Sequence, residues 1–254
     1  MSMEGVLERC RAWLNEKAGE GALEPGEPIA ARPLLPREAL GEGDAIRHDY
    51  PLRKGREFLL EATFRGERGQ AFTEKPVHWA GTVKELGTLD LGKDEERALF
   101  VASLNAVAKV LGVARNTVHC RNESLSRCAR KVGERLKERL CPGESLLIVG
   151  YQPAFIEAAV LALGPERVRV VDLDSANIGR EVFGVRISDG QAELGKVLGE
   201  VRFALVTGSS LVNGTYGNLE KSLRAAEVPF VLFGTSAAAA STLLGIERWC
   251  LESE

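Results

Sequence analysis

The chain has 254 residues, of which 44% are hydrophobic and 27% are charged, which is ordinary for a globular protein of one large or two modest domains. Its formal net charge is only -3 and both signs are mixed along the chain, so no basic stripe could replace the counterions of a phosphate backbone, and nucleic acid is excluded as an expected partner. The five cysteines are scattered without a repeated CxxC spacing, which excludes a disulfide framework.

The sequence also predicts no targeting or membrane segment. Residues 1–14 do not combine a basic start with an apolar run, because Glu8 and Arg9 fall among them. Residues 228–246 are uncharged and approach the roughly 20 residues that cross a bilayer. Proline, glycine and hydroxyl residues interrupt this stretch, which favours a strand, a turn and a short helix buried in an α/β unit. We therefore expect a cytoplasmic protein with no membrane partner.

In chain order, the first predicted element is a short amphipathic helix over residues 1–14, whose apolar side chains recur at helical spacing. Residues 19–43 are rich in glycine, proline and glutamate and lack a sustained period, which predicts an irregular tether. Residues 57–65 alternate in the manner of a β-strand. Residues 66–69 are a turn candidate that would join this strand to a second one at 69–72.

Two long helices follow. The first is predicted over residues 94–111, with Asp94 as the N-cap candidate and Gly112 as the stop, and it is apolar nearly all round. The second is predicted over residues 124–140, with one apolar stripe and basic residues opposite. The Cys-Pro-Gly sequence at 141–143 ends it and indicates a domain boundary.

After the boundary, short apolar runs alternate with helices, which is the pattern of parallel strands joined by crossover helices. The five predicted strands are residues 145–149, 168–173, 203–207, 230–233 and 248–251. The predicted helices are residues 154–163, 191–201, 216–226 and 237–244. We therefore expect a Rossmann-like parallel sheet in this half of the chain.

Ligands of open α/β sheets bind outside the carboxyl ends of the strands, so the residues after each strand are candidate ligand contacts. Gly150, Tyr151 and Gln152 follow the first strand, but without the GxGxxG spacing that brings a backbone close to a pyrophosphate. Ordinary NAD or FAD binding is therefore disfavoured. Asp172 and Asp174 end the second strand, where a carboxylate can accept hydrogen bonds from ribose hydroxyls. They are equally suited to capping the turn that follows.

The loops after the third and fourth strands are richer in small residues and hydroxyls. Such groups can bind a phosphate, a carboxylate or the edge of a heterocycle, although they also serve as helix N-caps. The candidate ligand contacts in these two loops are Gly208, Ser209, Ser210, Asn213, Gly214, Thr215, Gly234, Thr235 and Ser236. Asn177, which follows the second strand, is a further candidate.

Several segments carry a family resemblance. The run VTGSSLVNGT at residues 206–215 resembles the signature segment of the uncharacterised proteins grouped as a heavy-metal chelation family. In that family a Rossmann-like domain follows a smaller domain similar to the amino-terminal domain of enolase. The runs GYQPAFIEA at 150–158, VVDLDSANIG at 170–179 and FVASLNAV at 100–107 agree with the resemblance. Together these segments extend it over most of the chain from about residue 71.

The resemblance implies a division into two domains. The first, residues 1–141, would be an α+β domain made of a strand hairpin and helices, and the second, residues 142–254, would be the Rossmann-like domain. The resemblance also implies a ligand cleft between them, with Asn105 entering from the helix and with Asn213 and Thr215 entering from the opposite loop.

Metal and nucleophile motifs are weaker. His119, Cys120 and Cys128 are the one local cluster of metal-ligating residue types, but their spacing fits no CxxC or HxxxH pattern. Cys128 also falls on an apolar stripe, so we expect no metal held by protein side chains alone. No GxSxG elbow is present. The candidate general acids or bases are Glu157, Asp172 and Asp174.

The leading hypothesis is a protein that binds a small polar ligand, such as a nucleotide, a pterin or flavin-like heterocycle or a metal-bearing metabolite. It would be either a binding protein or an enzyme of that ligand's metabolism. One alternative is a group-transfer enzyme that uses S-adenosylmethionine, in which Asp172 or Asp174 would hold the ribose. Another is a protein that sequesters a heavy metal. The sequence identifies no cofactor and is compatible with a homo-oligomer.

Overall fold

The computed structural model of the protein describes residues 5–42 and 48–254. These residues form an antiparallel sheet in the first half of the chain and a mostly parallel sheet in the second half, with helices packed on both. The predicted mixed α/β class is thereby confirmed. The start of the first predicted helix, residues 1–4, and the last residue of the predicted tether, residue 43, lie outside the described residues.

The antiparallel sheet is built around a hairpin. Its strands are β1 (Pro28–Pro33), β2 (Phe58–Phe64), β3 (Glu67–Thr73) and β4 (Trp79–Thr82). Their spatial order is β3-β2-β1-β4. Between β2 and β3, Arg65 and Gly66 have φ angles of 45° and 82°. Positive φ at both central residues is what the tight turn of a two-residue hairpin requires. The predicted hairpin is confirmed, with a longer second strand than expected.

The helices of this half are α1 (Val6–Gly19), α2 (Pro36–Leu40), α3 (Val83–Leu86), α4 (Asp94–Val110) and α5 (Glu123–Arg139). The two long predicted helices are therefore confirmed to within one residue at each end. Asp94 is the first helical residue of α4 rather than its cap, and it places a carboxylate at the positive end of the helix dipole. Residues 98–108 of α4 are all buried, because β2 and β3 cover one side and elements of the second half cover the other.

The predicted irregular tether is wrong in part, because it contains β1 and α2. In β1 the positions alternate between exposed and buried, with Ile29 and Ala31 facing the core. Proline stands at both ends of this strand, and Pro36 occupies the first turn of α2, where a missing N–H does no harm. The prolines thus mark the ends of two short elements. The first helix also differs from its prediction, since it ends at Gly19 and not at residue 14.

The second sheet has the strand order of a dinucleotide-binding fold. Its strands are β5 (Leu146–Val149), β6 (Val168–Asp172), β7 (Glu181–Val182), β8 (Val185–Asp189), β9 (Phe203–Thr207), β10 (Phe230–Phe233) and β11 (Arg248–Trp249). They lie in the order β11-β10-β9-β5-β6-β8-β7, and all neighbours are parallel except β7 and β8. Without β7 this is the doubly wound Rossmann order, which reverses direction between β5 and β9.

Two of these strands, β7 and β8, are absent from the sequence-based prediction. β8 offers only Val185 and Ile187 as inward apolar residues, and they alternate with Arg186 and Ser188. A two-residue edge strand such as β7 has no pattern of its own. The other five strands are confirmed, although β11 is only two residues long.

The helices of this half are α6 (Pro153–Leu163), α7 (Leu194–Leu198), α8 (Ser209–Val212), α9 (Tyr216–Ala225) and α10 (Ala238–Leu244). The predictions for α6, α9 and α10 are confirmed to within one residue at each end. The helix predicted over 191–201 is shorter at both ends. At its start, the Asp189 carboxylate accepts hydrogen bonds from the N–H groups of Gln191 and Ala192 and holds them in a turn.

None of the helices in the described ranges has the length and apolar composition that a bilayer crossing needs. The uncharged stretch 228–246 divides as predicted into the strand β10, a short 3-10 turn at Thr235–Ala237 and the helix α10. Its apolar residues are therefore accounted for by the buried strand and helix.

Candidate functional site

A cavity of about 580 Å³ lies between the antiparallel sheet and the carboxyl ends of the parallel strands. This volume suits a small organic ligand. One wall is formed by residues between 40 and 128, and the other by residues between 149 and 250. Thirteen of the sixteen predicted contacts line it, namely Gly150, Tyr151, Gln152, Asp172, Asp174, Asn177, Gly208, Ser209, Ser210, Asn213, Thr215, Gly234 and Ser236.

Two glycines bring the loops after β5, β9 and β10 together where the sheet reverses. Gly150 has a φ of 96°, and a Cβ there would lie 2.8 Å from the Thr207 methyl carbon. At Gly208, a Cβ would lie 2.8 Å from the backbone nitrogen of Ala237. Any side chain at either position would push neighbouring loops apart, so glycine is what allows their polar groups to share one cavity.

The two carboxylates after β6 hold the neighbouring loops in place. Asp172 accepts hydrogen bonds from the N–H groups of Tyr151 at 2.5 Å and Asp174 at 2.7 Å, which ties the loop after β5 to the loop after β6. Asp174 accepts from the N–H of Ala176 at 2.8 Å and lies 3.9 Å from the guanidinium of Arg56. Both therefore have the turn-capping role expected as their alternative, and each oxygen keeps a further lone pair for a ligand.

The loop after β9 is the short helix α8 and the turn that follows it. The Ser210 hydroxyl donates to the last carbonyl of β9 at 2.6 Å. The side-chain oxygen of Asn213 accepts from the N–H of Thr215 at 3.1 Å and from its hydroxyl at 2.7 Å. These bonds stabilise the loop itself. The Ser209 hydroxyl instead reaches across the cavity and lies 3.5 Å from the Glu57 carboxyl oxygen.

Three predicted contacts do not line the cavity, which corrects the expectation for Asn105. This side chain is 1% exposed, and its amide nitrogen donates to the carbonyls of Gln70 at 2.9 Å and Thr235 at 3.0 Å. Its oxygen accepts from a backbone N–H of α10 at 2.8 Å. Asn105 therefore joins β3 to the loop after β10 and does not enter the cleft. Thr235 is fully buried, and Gly214 packs against the guanidinium of Arg97.

Glu57, directly before β2, is a cavity residue that the sequence did not indicate. Burial raises the pKa of its carboxyl group to about 7, and the charges of Glu74 and Asp172 add to the rise, whereas the hydrogen bond from Ser209 opposes it. Near neutral pH this carboxyl group is therefore often protonated and can donate a hydrogen bond. A single acid before an antiparallel strand carries no spacing signal, so only the folded chain places it at the site.

His119 also lines the cavity. Its ring packs edge-on against Phe72, with 5.2 Å between the ring centres. Burial lowers the pKa of its imidazole to about 4, so the ring is neutral at physiological pH. Within the described residues its Nδ1 atom has no hydrogen-bond partner. This nitrogen is itself buried rather than exposed to the cavity.

Three free cysteines, Cys120, Cys128 and Cys250, line the cavity as well. The thiols of Cys120 and Cys128 lie near enough to affect each other's ionisation, and the neighbouring Cys128 thiol and burial together raise the pKa of the Cys120 thiol. Across residues 5–42 and 48–254, no group of three or more His, Cys, Asp or Glu side chains is arranged to hold a metal ion.

The family model that matches this chain covers mainly its second half. Residues 135–246 match the model of family DUF364, which is described as "Putative heavy-metal chelation". None of the curated proteins matches the chain.

Two solved structures are similar to this chain. One is a protein with unknown function from the DUF364 family of Pyrococcus horikoshii, 16% identical over 91% of this chain and 80% of that chain, with a TM-score of 0.51. The other is a DUF364 protein with unknown function from Desulfitobacterium hafniense DCB-2, 14% identical over 74% of this chain and 72% of that chain, with a TM-score of 0.46. The first likeness supports the fold. The predicted resemblance is confirmed, since the chain matches the DUF364 family over residues 135–246.

Proposed function

We propose that this protein binds a small polar heterocyclic ligand in the cavity between its two sheets. The observation that carries the proposal is the convergence of loops after four parallel strands, β5, β6, β9 and β10, on one cavity. Glu57 and His119 add a protonatable carboxyl group and a neutral imidazole from the first half of the chain. Groups of this kind fix the orientation of a ligand, while the apolar part of the wall provides most of the contact area.

The charge of the cavity narrows the class of ligand. Besides Glu57, which is often protonated near neutral pH, the acidic side chains that line it in the described structure are Asp49, Glu74, Asp172 and Asp174, and the basic ones are Lys54 and Arg56. This excess of acids repels a polyphosphate and attracts a neutral or cationic molecule. A nucleoside, a pterin or a related ring system fits better than a nucleoside triphosphate, and a metal-bearing metabolite of net positive charge fits the same requirement.

The aromatic side chains of the cavity wall suit a planar ring. Phe155 and Phe233 lie together on one wall, with 5.1 Å between their ring centres, and Phe72 lies on the opposite wall. Aromatic side chains stack on heterocycles and contribute a large apolar contact. Asp172, at the end of β6, has the position from which an acidic residue accepts hydrogen bonds from ribose hydroxyls in dinucleotide-binding folds.

A group-transfer enzyme that uses S-adenosylmethionine is the second candidate. The acidic wall favours it, because this cofactor carries a sulfonium cation and a ribose. Its residues for these groups would be the cavity carboxylates, with Asp172 on the ribose.

Heavy-metal chelation, the wording of the family description, is a separate alternative. Elemental analysis of the purified protein tests it directly, and a stoichiometric heavy metal would favour it over an organic ligand.

Calorimetric titration of the full chain with adenosine, S-adenosylmethionine, a pterin, flavin mononucleotide and adenosine triphosphate tests the proposal. We expect at least one neutral or cationic compound to bind and the triphosphate to bind at least about tenfold more weakly, roughly 1.4 kcal/mol. The substitutions Asp172→Asn and Ser209→Ala should each lower the affinity for the compound that binds. Glu134→Gln is the matched control, because Glu134 is exposed on α5 and does not line the cavity. Preferred binding of the triphosphate, with no effect of Asp172→Asn, would contradict the proposal.

A further inference from the structure

The cavity continues beyond the strand ends along the side of α9. Asn218, Leu219 and Ser222 line it from that helix. With Thr215, the residue before the helix, they stand at the i, i+3, i+4 and i+7 positions that form one helical face. This face covers about two turns, or about 10 Å at a rise of roughly 1.5 Å per residue. The cavity is therefore long enough for more than a single ring system.

A second side of this extension comes from α7 and the turn before it. Gln191 lies in that turn and Leu194 is the first residue of α7, and both line the cavity. Leu194 packs against the buried cluster that contains Leu219, so the two leucines give the extension an apolar part. Gln191, Asn218 and Ser222 add two amides and a hydroxyl. We call the part of the cavity lined by these residues the α7–α9 groove.

The charged residues of the two helices are kept out of the groove. In α7 and α9, which are both described in full, no charged residue lines the cavity. Glu220 and Arg224 of α9 instead form an ion pair at 2.7 Å outside it. The acids of the cavity come from the end of β6, as Asp172 does, and from the first half of the chain. The cavity thus combines an acidic part with an uncharged groove.

The polar side chains of the groove are not used by the protein itself. Across the two described ranges, the side chains of Gln191, Asn218 and Ser222 make no hydrogen bond. In the loop before α9, by contrast, Ser210 and Asn213 bond to neighbours in the chain. Amides and hydroxyls both donate and accept hydrogen bonds, as the hydroxyl groups of a ligand also do, whereas an ionised carboxylate only accepts. The groove therefore matches a hydroxylated chain better than an acidic one.

We infer that the α7–α9 groove binds an uncharged, hydroxylated chain of the ligand, while the ring system of that ligand occupies the acidic part of the cavity. This inference rests on the proposed binding of a heterocycle, and it narrows that class to rings that carry a sugar or sugar-alcohol chain. Leu194 and Leu219 contact the carbon atoms of the chain, and the amides and the hydroxyl of the groove bind its hydroxyl groups. A chain that ends in an anionic group has no cation to pair with there.

Calorimetric titration of the full chain with two matched pairs of compounds tests the groove. Riboflavin is compared with lumiflavin, which has the same ring system and a methyl group in place of the sugar-alcohol chain. Biopterin is compared with pterin, which lacks the hydroxylated chain. We expect the compound with the chain to bind at least about tenfold more tightly than its partner in at least one pair.

Substitutions in the groove should reduce this advantage of the chain. Asn218→Leu removes a donor and an acceptor at similar volume, so it should weaken binding of the chain-bearing compound about three- to tenfold more than binding of its partner. Ser222→Ala should act in the same direction. Lys221→Met is the matched control, because Lys221 is exposed on α9 and does not line the cavity, and it should leave the advantage unchanged. Urea unfolding verifies that each variant is folded.

Three results would overturn the inference. They are equal affinities within both pairs, no binding of either chain-bearing compound, and an equal loss for both members of a pair in Asn218→Leu. Equal affinities within a pair that binds would leave the proposed function standing, because the ring system still occupies the cavity. Failure of all four compounds together with adenosine and S-adenosylmethionine would contradict the proposed function as well.

Discussion

Glu57 and His119 are uncharged over much of the range near pH 6, although one is an acid and the other a base. Burial is the main cause in both cases, since it raises the pKa of Glu57 to about 7 and lowers that of His119 to about 4. Their effects on the free energy of unfolding have opposite signs. For Glu57 the folded chain binds more protons, so stability falls as pH rises from about 4.5 to about 7. For His119 the unfolded chain binds more protons, so stability falls as pH decreases from about 6.5 to about 4.

Glu57→Gln separates the two effects. The variant lacks the buried carboxylate, so its stability relative to the unaltered chain should increase from pH 4.5 to pH 7, by on the order of 2 kcal/mol. Urea unfolding at a series of pH values measures this difference. His119→Asn is the contrasting control. Its free energy of unfolding, relative to that of the unaltered chain, should increase as the pH is lowered from 6.5 to 4. An unchanged pH dependence in Glu57→Gln would show that this carboxyl group is ionised like an exposed one.

Residues after parallel strands and residues elsewhere at the site differed in how well they could be predicted. Asp172, Ser209 and Ser236 follow strands whose carboxyl ends meet at one sheet edge, so their shared cavity follows from topology. Glu57 and His119 come from the other half of the chain, and only the packing of one sheet on the other brings them to the same place. The prediction that Asn105 enters the cleft is wrong, because the burial of this side chain depends on how closely α4 approaches β3, which the sequence does not show.

At the scale of elements, that close approach depends on a glycine in β3. A Cβ at Gly69 would lie 2.2 Å from the backbone nitrogen of Ala106 and 2.4 Å from the carbonyl oxygen of Ala102, both in α4. Backbone atoms at these distances cannot move aside as a flexible side chain can. The helix therefore packs directly on the strand, and α4 in turn contacts α8 and α10 of the second half.

Gly69→Ala should consequently destabilise the protein by more than about 3 kcal/mol, because the helix must shift and open a gap in the core. Gly217→Ala is the matched control. Gly217 lies in α9, and a Cβ there meets nothing within 4 Å, so the same substitution should increase the free energy of unfolding by about 0.5–1 kcal/mol. Urea denaturation of both variants measures the difference. Equal stabilities of the two variants would contradict the direct contact between α4 and β3.

Long elements with a strong period were predictable, and short ones were not. The helices α4 and α5 have 17 residues each, and their apolar positions show both the length and the ends. The elements β1, α2 and β8 have five or six residues, and prolines or alternating polar residues leave only two or three apolar positions in each. These elements are stabilised by the neighbours they pair with or pack against, and that information is not local.

The whole molecule raises the question of whether its two halves fold separately. The strands of the first sheet end at Thr82 and those of the second begin at Leu146, on either side of the boundary predicted near residue 141, but the buried clusters span both halves. One cluster contains Leu60 and Phe100 together with Val206. The other joins Leu59 to Leu146. Each core is thus completed by residues from both halves, and the division into domains 1–141 and 142–254 stays a prediction about sequence segments rather than about independent stability.

We predict that residues on both sides of this boundary unfold in one cooperative transition. Tryptophan fluorescence can report on each half, since Trp13 and Trp79 lie in the first and Trp249 lies in the second. One variant keeps only Trp79 and another keeps only Trp249, with the other tryptophans replaced by phenylalanine. Coincident urea midpoints are the expected result. Two separate midpoints would show that the halves are independent folding units.

Asn105→Ala provides the stronger form of this test, because its amide joins the carbonyls of Gln70 and Thr235 across the boundary. Alanine leaves these buried groups unpaired, so stability should fall by on the order of 3 kcal/mol. If the halves are one cooperative unit, this substitution lowers the midpoints reported by Trp79 and Trp249 by the same amount. If only one midpoint moved, the amide would stabilise a single half, and the shared cores would not couple the two sheets.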